Sequence, residues 1–217
     1  MSLTTTTGIA LILSTLVYHG GLAFLYARAH FGEVLTLPRG EKLFTIAKYS
    51  NQYVTGSRIV LVGWIVAATA YVMLTAILRE AGDPITSTLA SVLFLLGIPS
   101  AVGFWALHVP VTLLAAEEAA RTAIVSDYYE RHQLAGESLL EIYLVLGLLA
   151  TARFGWALLQ TGLLPSWVGW VTLGWGLIFA GISLKMAGAR RLRATPNAIP
   201  LLPMVMQLVI GISLLVK

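Results

Sequence analysis

Six long apolar runs dominate the chain, near residues 8–27, 59–78, 89–115, 138–160, 166–184 and 199–216. Each is about 18–27 residues long, enough at 1.5 Å per residue to cross a hydrocarbon core of roughly 30 Å as one helix. Polar and charged residues collect between the runs. Arg28 closes the first, Arg58 opens the second, Arg79 closes it and Lys185 closes the fifth. Only Glu141 and Arg153 fall inside a run, so 22 of the 24 charges lie outside them. The pattern predicts an all-α fold: one domain over residues 1–217, built as a polytopic bundle of six transmembrane helices.

The distribution of Lys and Arg gives an expected orientation, because cytoplasmic loops carry the excess of positive charge. With the N-terminus outside, the three inner loops hold eleven basic residues: Arg28, Arg39, Lys42, Lys48 and Arg58, then Arg121 and Arg131, then Lys185, Arg190, Arg191 and Arg193. The outer side holds two, Arg79 and Lys217. Both termini are therefore expected outside. The triplet Ala27-Arg28-Ala29 has the small-residue form of a signal-peptidase site, but no basic residue precedes Arg28, and the first run is read as a retained helix.

Two inner loops are long enough to carry structure. Residues 41–54 mix Leu43, Phe44, Ile46 and Ala47 with Lys42, Lys48, Asn51 and Gln52. They predict either a short interfacial helix or an N-terminal extension of the second span. Residues 116–133 are rich in helix formers and pair Glu117 with Arg121 at i,i+4, so the third helix is expected to continue into the cytoplasm until Ala135-Gly136 breaks it. Pro99 and Pro110 lie in that helix, each removing one backbone hydrogen bond and favouring a kink. The outer connection 161–165 is a tight hairpin, and Trp156, Trp167 and Trp170 around it suit an interfacial aromatic belt.

Composition narrows the function classes. Charged residues are 11% of the chain against roughly 25% in a soluble domain, and apolar residues are 58%. Such a chain has too little polar surface for a soluble enzyme, a disordered protein or a fibrous one. The net charge of +4 marks loop orientation, and no basic stretch is interleaved with aromatics as nucleic-acid binding requires. The absence of cysteine excludes disulfides, thiolate metal sites, iron–sulfur clusters and c-type haem attachment. No Walker, GxGxxG or GxSxG motif occurs, and no lysine lies within a span to form a Schiff base.

Glycines recur at intervals of seven, as Gly155, Gly162, Gly169 and Gly176 and again as Gly174, Gly181 and Gly188. Glycine at heptad spacing makes a groove for close helix approach. Gly169, Gly174, Gly176, Gly181 and Gly188 are thus candidate helix-packing residues, either within the bundle or against a partner. The bundle interior is the favoured assignment, since small residues line most membrane helix interfaces.

The segment GWALLQTGLLPSWVGWVTLGWGLI (155–178) resembles a hairpin in an uncharacterised bacterial six-helix membrane family, domain of unknown function 4386. Thr161, Gly162, Leu164, Pro165, Trp167 and Gly169 carry the resemblance. It implies a six-helix bundle in a bacterial cytoplasmic membrane and brings no activity or functional residues.

Intramembrane ionisable residues are functional candidates by default. Glu141 and Arg153 are close enough to a membrane face to snorkel. His19 and His108 are deeper, each nine residues from a charged inner boundary and thus about 13 Å into the bilayer. At matched depth on the first and third spans, they are candidate ligands for a haem, another metal or a pigment. Gln207 lies at similar depth and could support such a group. The alternative is that each imidazole bonds a neighbouring helix as polar glue. His30 and His132 belong to the charged inner rim with Glu33, Glu117, Glu118 and Glu137. Three functions then remain: a non-catalytic accessory or scaffold protein packing with other membrane proteins or itself, a His-ligated cofactor protein in electron transfer, and a small-solute transporter or channel. The first makes the fewest demands on the residues, and no reaction is assigned.

Overall fold

A computed structural model describes residues 1–37, 39–188 and 202–217. Every regular element among them is a helix. α1 (Leu3–Arg28), α4 (Ser50–Glu80), α5 (Pro84–Thr122), α6 (Asp127–Thr161) and α7 (Ser166–Gly188) are each long and apolar enough to cross a membrane. α8 (Leu202–Leu215) is equally apolar but has 14 described residues, about 21 Å of helix. The first residues expected for a sixth span, 199–201, lie outside the described set, as do Arg190, Arg191 and Arg193. α2 (Phe31–Thr36) and α3 (Arg39–Lys48) are short helices in the first long connection.

Helix boundaries follow local chemistry. Ser2 caps α1 by accepting from the Thr5 amide, and Asp83 caps α5 by accepting from the Thr86 amide at 2.9 Å, with Pro84 in the first turn where its missing N–H is no loss. α5 runs as one helix through both Pro99 and Pro110. It ends at Ala123, which turns left-handed at φ 58°. Ile124, Val125 and Ser126 follow, and α6 starts at Asp127. The break expected at Ala135-Gly136 is therefore placed eleven to twelve residues too late. Gly136 stays helical because it faces α5 closely: a Cβ there would sit 3.3 Å from both His108 and Phe104. It serves as a contact, and the stop signal is the β-branched pair with the serine.

The 41–54 segment satisfies both expectations in part. α3 is a separate helix, and α4 begins at Ser50, nine residues before the predicted span. α3 does not lie free on the surface, since Leu43 and Ile46 are buried and the helix packs on α5. His30, itself at φ 51°, stacks on Tyr49 at the α3–α4 break with ring centroids 4.6 Å apart.

α1 packs on α4 and α8, α5 on α4 and α6, and α6 on α7. Successive long helices run antiparallel. Hydrogen bonds from Thr86 to Gln160 at 3.1 Å and from the Lys217 ammonium to the Leu163 carbonyl at 2.7 Å gather the start of α5, the end of α6 and the C-terminus at one end of the bundle. Trp156, Trp167 and Trp170 are exposed around that same end, as a belt requires.

Glycine sets the closest approaches. Cβ atoms at Gly21 and Gly63 would lie 2.7 and 2.8 Å from the backbone nitrogens of Val60 and Tyr18, so α1 and α4 touch backbone to backbone. Gly56 and Gly63, both on α4, share the interval of seven found in the α6–α7 hairpin.

Candidate functional site

The bundle centre is polar and aromatic at once. Gln207 of α8 is fully buried, and its Oε1 accepts from the Ser14 hydroxyl of α1 at 2.8 Å. The same hydroxyl lies 2.8 Å from the Leu11 carbonyl, so one proton is shared between two acceptors. Tyr71 of α4 lies against Gln207 and against Thr151 of α6, yet its hydroxyl completes no hydrogen bond with either. The Gln207 Nε2, Trp64 Nε1 and Tyr143 hydroxyl are also buried without a partner. Rings close the space between them. Trp64 packs edge-on to Tyr18 and Tyr143 at 5.1 and 4.4 Å, and Tyr71 packs on Phe94 and Phe154 at 4.1 and 4.9 Å. This centre offers amide, indole and phenol groups without a carboxylate or an imidazole among those named. It can hold helices in register by hydrogen bonding; it has no acid–base pair.

The two deep histidines sit in different settings. His19 is half-buried, its Nδ1 is 2.8 Å from the Thr15 carbonyl one turn back, and its ring stands edge-on to Tyr18. That is a bond within its own helix, where the polar-glue alternative expected one to a neighbouring helix. His108 stacks on Phe104 at 4.8 Å and on His132 of α6 at 5.6 Å, the latter planes only 10° apart. The imidazole beside His108 is thus His132. Gly97 with Tyr143, Phe104 with Gly136 and His108 with His132 form one antiparallel register along α5 and α6.

His132 was assigned to the inner rim because the helix break was put after it. Starting α6 at Ser126-Asp127, on the Ser cap signal, would have placed it in the hairpin. Imidazole lone pairs lie in the ring plane, so two rings stacked face to face stack rather than chelate. The His108 Nδ1 and His132 Nε2 are buried and unpartnered. Among the described residues, no group of three or more His, Asp or Glu comes together as a metal site. The side chains of Glu33 and Glu137 lie outside the described set.

The heptad glycines divide between two faces of α7. Gly169 and Gly176 face α6: a Cβ on Gly176 would lie 2.4 Å from the Ala152 nitrogen, and one on Gly155 would lie 2.3 Å from the Leu173 nitrogen. Gly174 and Gly181 meet nothing within 4 Å among the described residues. Two residues of helix turn by about 200°, which carries Gly174 to the side opposite Gly176. On that outer side Trp170, Leu177 and Leu184 are all exposed, alternating with Gly174 and Gly181 at steps of four and three. The surroundings of Gly188 lie outside the described residues.

The class that fold and site define is a helical bundle with helices long and apolar enough for an integral membrane protein, carrying a line of glycines on the outer side of α7. No family model, no curated protein and no solved structure matches the chain.

Proposed function

We propose that the chain is a non-catalytic membrane protein of six spans that works by packing against other transmembrane helices, from a second copy or a partner subunit. One observation carries this reading: the outer seam of α7, Trp170-Gly174-Leu177-Gly181-Leu184, whose glycines meet nothing within 4 Å among the described residues. Exposed apolar side chains alone would mean only lipid contact. Glycine within a helix costs roughly 0.5–1 kcal/mol relative to alanine, and no close approach by a described residue offsets that cost at Gly174 or Gly181. Alternating small and large residues at heptad steps let a second backbone approach while the large residues fill its grooves.

The test replaces Gly174 and Gly181 together with leucine and measures mass by light scattering in mild detergent. The wild type is expected to run as an oligomer or with a stoichiometric membrane partner, and G174L/G181L as a monomer with unchanged thermal stability. Gly20→Leu adds the same bulk where a Cβ also meets nothing within 4 Å, and it should leave association intact. A monomeric, partner-free wild type would sink the proposal.

The six-span reading rests on the apolar α8 and on the six runs of the sequence, and it agrees with the family resemblance of the 155–178 hairpin. The placement of both termini outside a bacterial cytoplasmic membrane rests on the Lys and Arg count. The end of the bundle bearing Arg28, Lys48, Arg58 and Arg121 would then face the cytoplasm. Because the chain has no cysteine, single cysteines report cleanly. In intact cells an impermeant maleimide should label Ser2→Cys and leave Lys48→Cys unlabelled until the membrane is broken; the reverse pattern overturns the orientation.

A further inference from the structure

Arg153 is the one basic residue inside an apolar run, and the structure puts it in an unusual place. It lies on α6 eight residues before Thr161, about 12 Å below the end of the helix. Its side chain is exposed on the outside of the bundle. No described residue offers it a hydrogen bond or an ion pair. It lines a groove of about 440 Å³ whose other walls are apolar: Leu93 of α5, Leu149 and Trp156 of α6, and Leu173 and Leu177 of α7.

A guanidinium in this position keeps its full charge, because arginine does not deprotonate in proteins. Hydrocarbon cannot satisfy it, so an anion must come to it or the side chain must climb to the headgroup layer. The groove decides between these. Its volume falls in the range of small-molecule pockets, ~300–1,000 Å³. A single acyl chain fits the apolar walls, and a phosphodiester is the anion that every such chain in a phospholipid brings with it. Guanidinium binds phosphate by two parallel N–H···O bonds, a geometry lysine lacks. Trp156, three residues nearer the helix end, lines the same groove and brings an indole N–H and an apolar ring to it.

We propose that the groove between α5, α6 and α7 is a binding site for an anionic phospholipid, its phosphate held by Arg153 and one acyl chain laid along Leu93, Leu149, Leu173 and Leu177. An anionic headgroup is preferred to a zwitterionic one, since a choline ammonium would place a second cation beside the guanidinium. The site is separate from the α7 seam except at Leu177, which lies between them.

The experiment is native mass spectrometry of the purified full chain in detergent, titrated with phosphatidylglycerol, phosphatidylcholine or diacylglycerol. The wild type should retain one phosphatidylglycerol at least tenfold more tightly than the other two. Arg153→Gln should lose that preference and bind phosphatidylglycerol at least tenfold more weakly, and Arg153→Lys should fall between. Phosphatidylglycerol with brominated chains should quench Trp156, giving a signal lost in Trp156→Phe and reduced in Arg153→Gln. Three results overturn the proposal: equal retention by Arg153→Gln, diacylglycerol binding as well as phosphatidylglycerol, or no lipid retained by the wild type, which leaves simple snorkelling. Loss of a co-purifying protein, rather than of lipid, in Arg153→Gln overturns it too. G174L/G181L should keep the lipid while losing association, so failure at the seam and failure at the groove are read separately.

Discussion

Gly176→Ala is expected to lower the stability of the bundle by about 2–3 kcal/mol, although it adds one methyl group and improves helix propensity. The added carbon would lie 2.4 Å from the Ala152 nitrogen and 2.6 Å from the Leu148 carbonyl oxygen. Both obstacles are backbone, so no side chain can rotate away, and α6 and α7 must move apart along their whole contact. Gly155→Ala meets the Leu173 nitrogen at 2.3 Å from the other side of the same interface and should behave alike. The two losses should not add, because the first substitution already separates the helices. Gly174→Ala and Gly181→Ala, on the opposite side of α7, meet nothing within 4 Å and should leave the monomer as stable or up to about 1 kcal/mol more stable. Thermal unfolding of the four variants in detergent checks this. Equal behaviour of Gly174 and Gly176 would mean that α7 does not present these faces as described.

That contrast shows where the sequence was informative and where it stopped. The interval of seven marked Gly169, Gly176, Gly174 and Gly181 alike as packing residues; Gly169 and Gly176 meet α6 closely, while Gly174 and Gly181 meet nothing within 4 Å among the described residues. Periodicity cannot tell which face meets the same chain and which meets something else, because that depends on where α6 lies. The long apolar runs located α1, α4, α5, α6 and α7 because crossing hydrocarbon demands length and apolarity from the helix itself.

The connection between α5 and α6 was read less well. Glycine was weighted as a breaker and the Ile124-Val125-Ser126 stop was passed over, so His132 was left at the rim instead of against His108. Depth along one helix axis had suggested His19 as the companion of His108. Depth is one coordinate of three, and His19 bonds its own helix at Thr15 while His108 faces α6. Gln207 was read as a support for a group held by the two histidines; the structure instead shows its amide oxygen accepting from Ser14 of α1. Arg153 was read as a residue able to snorkel; the structure shows it exposed on the outside of the bundle, and the groove around it needs three helices and could not be seen in one.

Gln207→Lys should be the most damaging polar substitution in the chain, costing about 3–5 kcal/mol and preventing accumulation of folded protein. The side chain at 207 is fully buried, and the groups around it are the Ser14 hydroxyl, the Tyr71 hydroxyl and aromatic rings. An ammonium there has no counter-charge among them. Gln207→Leu separates two meanings of the same amide. If the amide is polar glue, leucine removes one hydrogen bond, worth about 0.6 kcal/mol between membrane helices. It also removes the unpartnered Nε2, whose burial costs roughly 1–3 kcal/mol. The net change is then neutral or stabilising, and Tyr71→Phe, which deletes the neighbouring unpartnered hydroxyl, should act in the same direction. A loss above about 2 kcal/mol for Gln207→Leu would reverse the sign of that balance. It would mean that the Gln207 amide and the Tyr71 hydroxyl it lies against hold the helices together by a direct hydrogen bond.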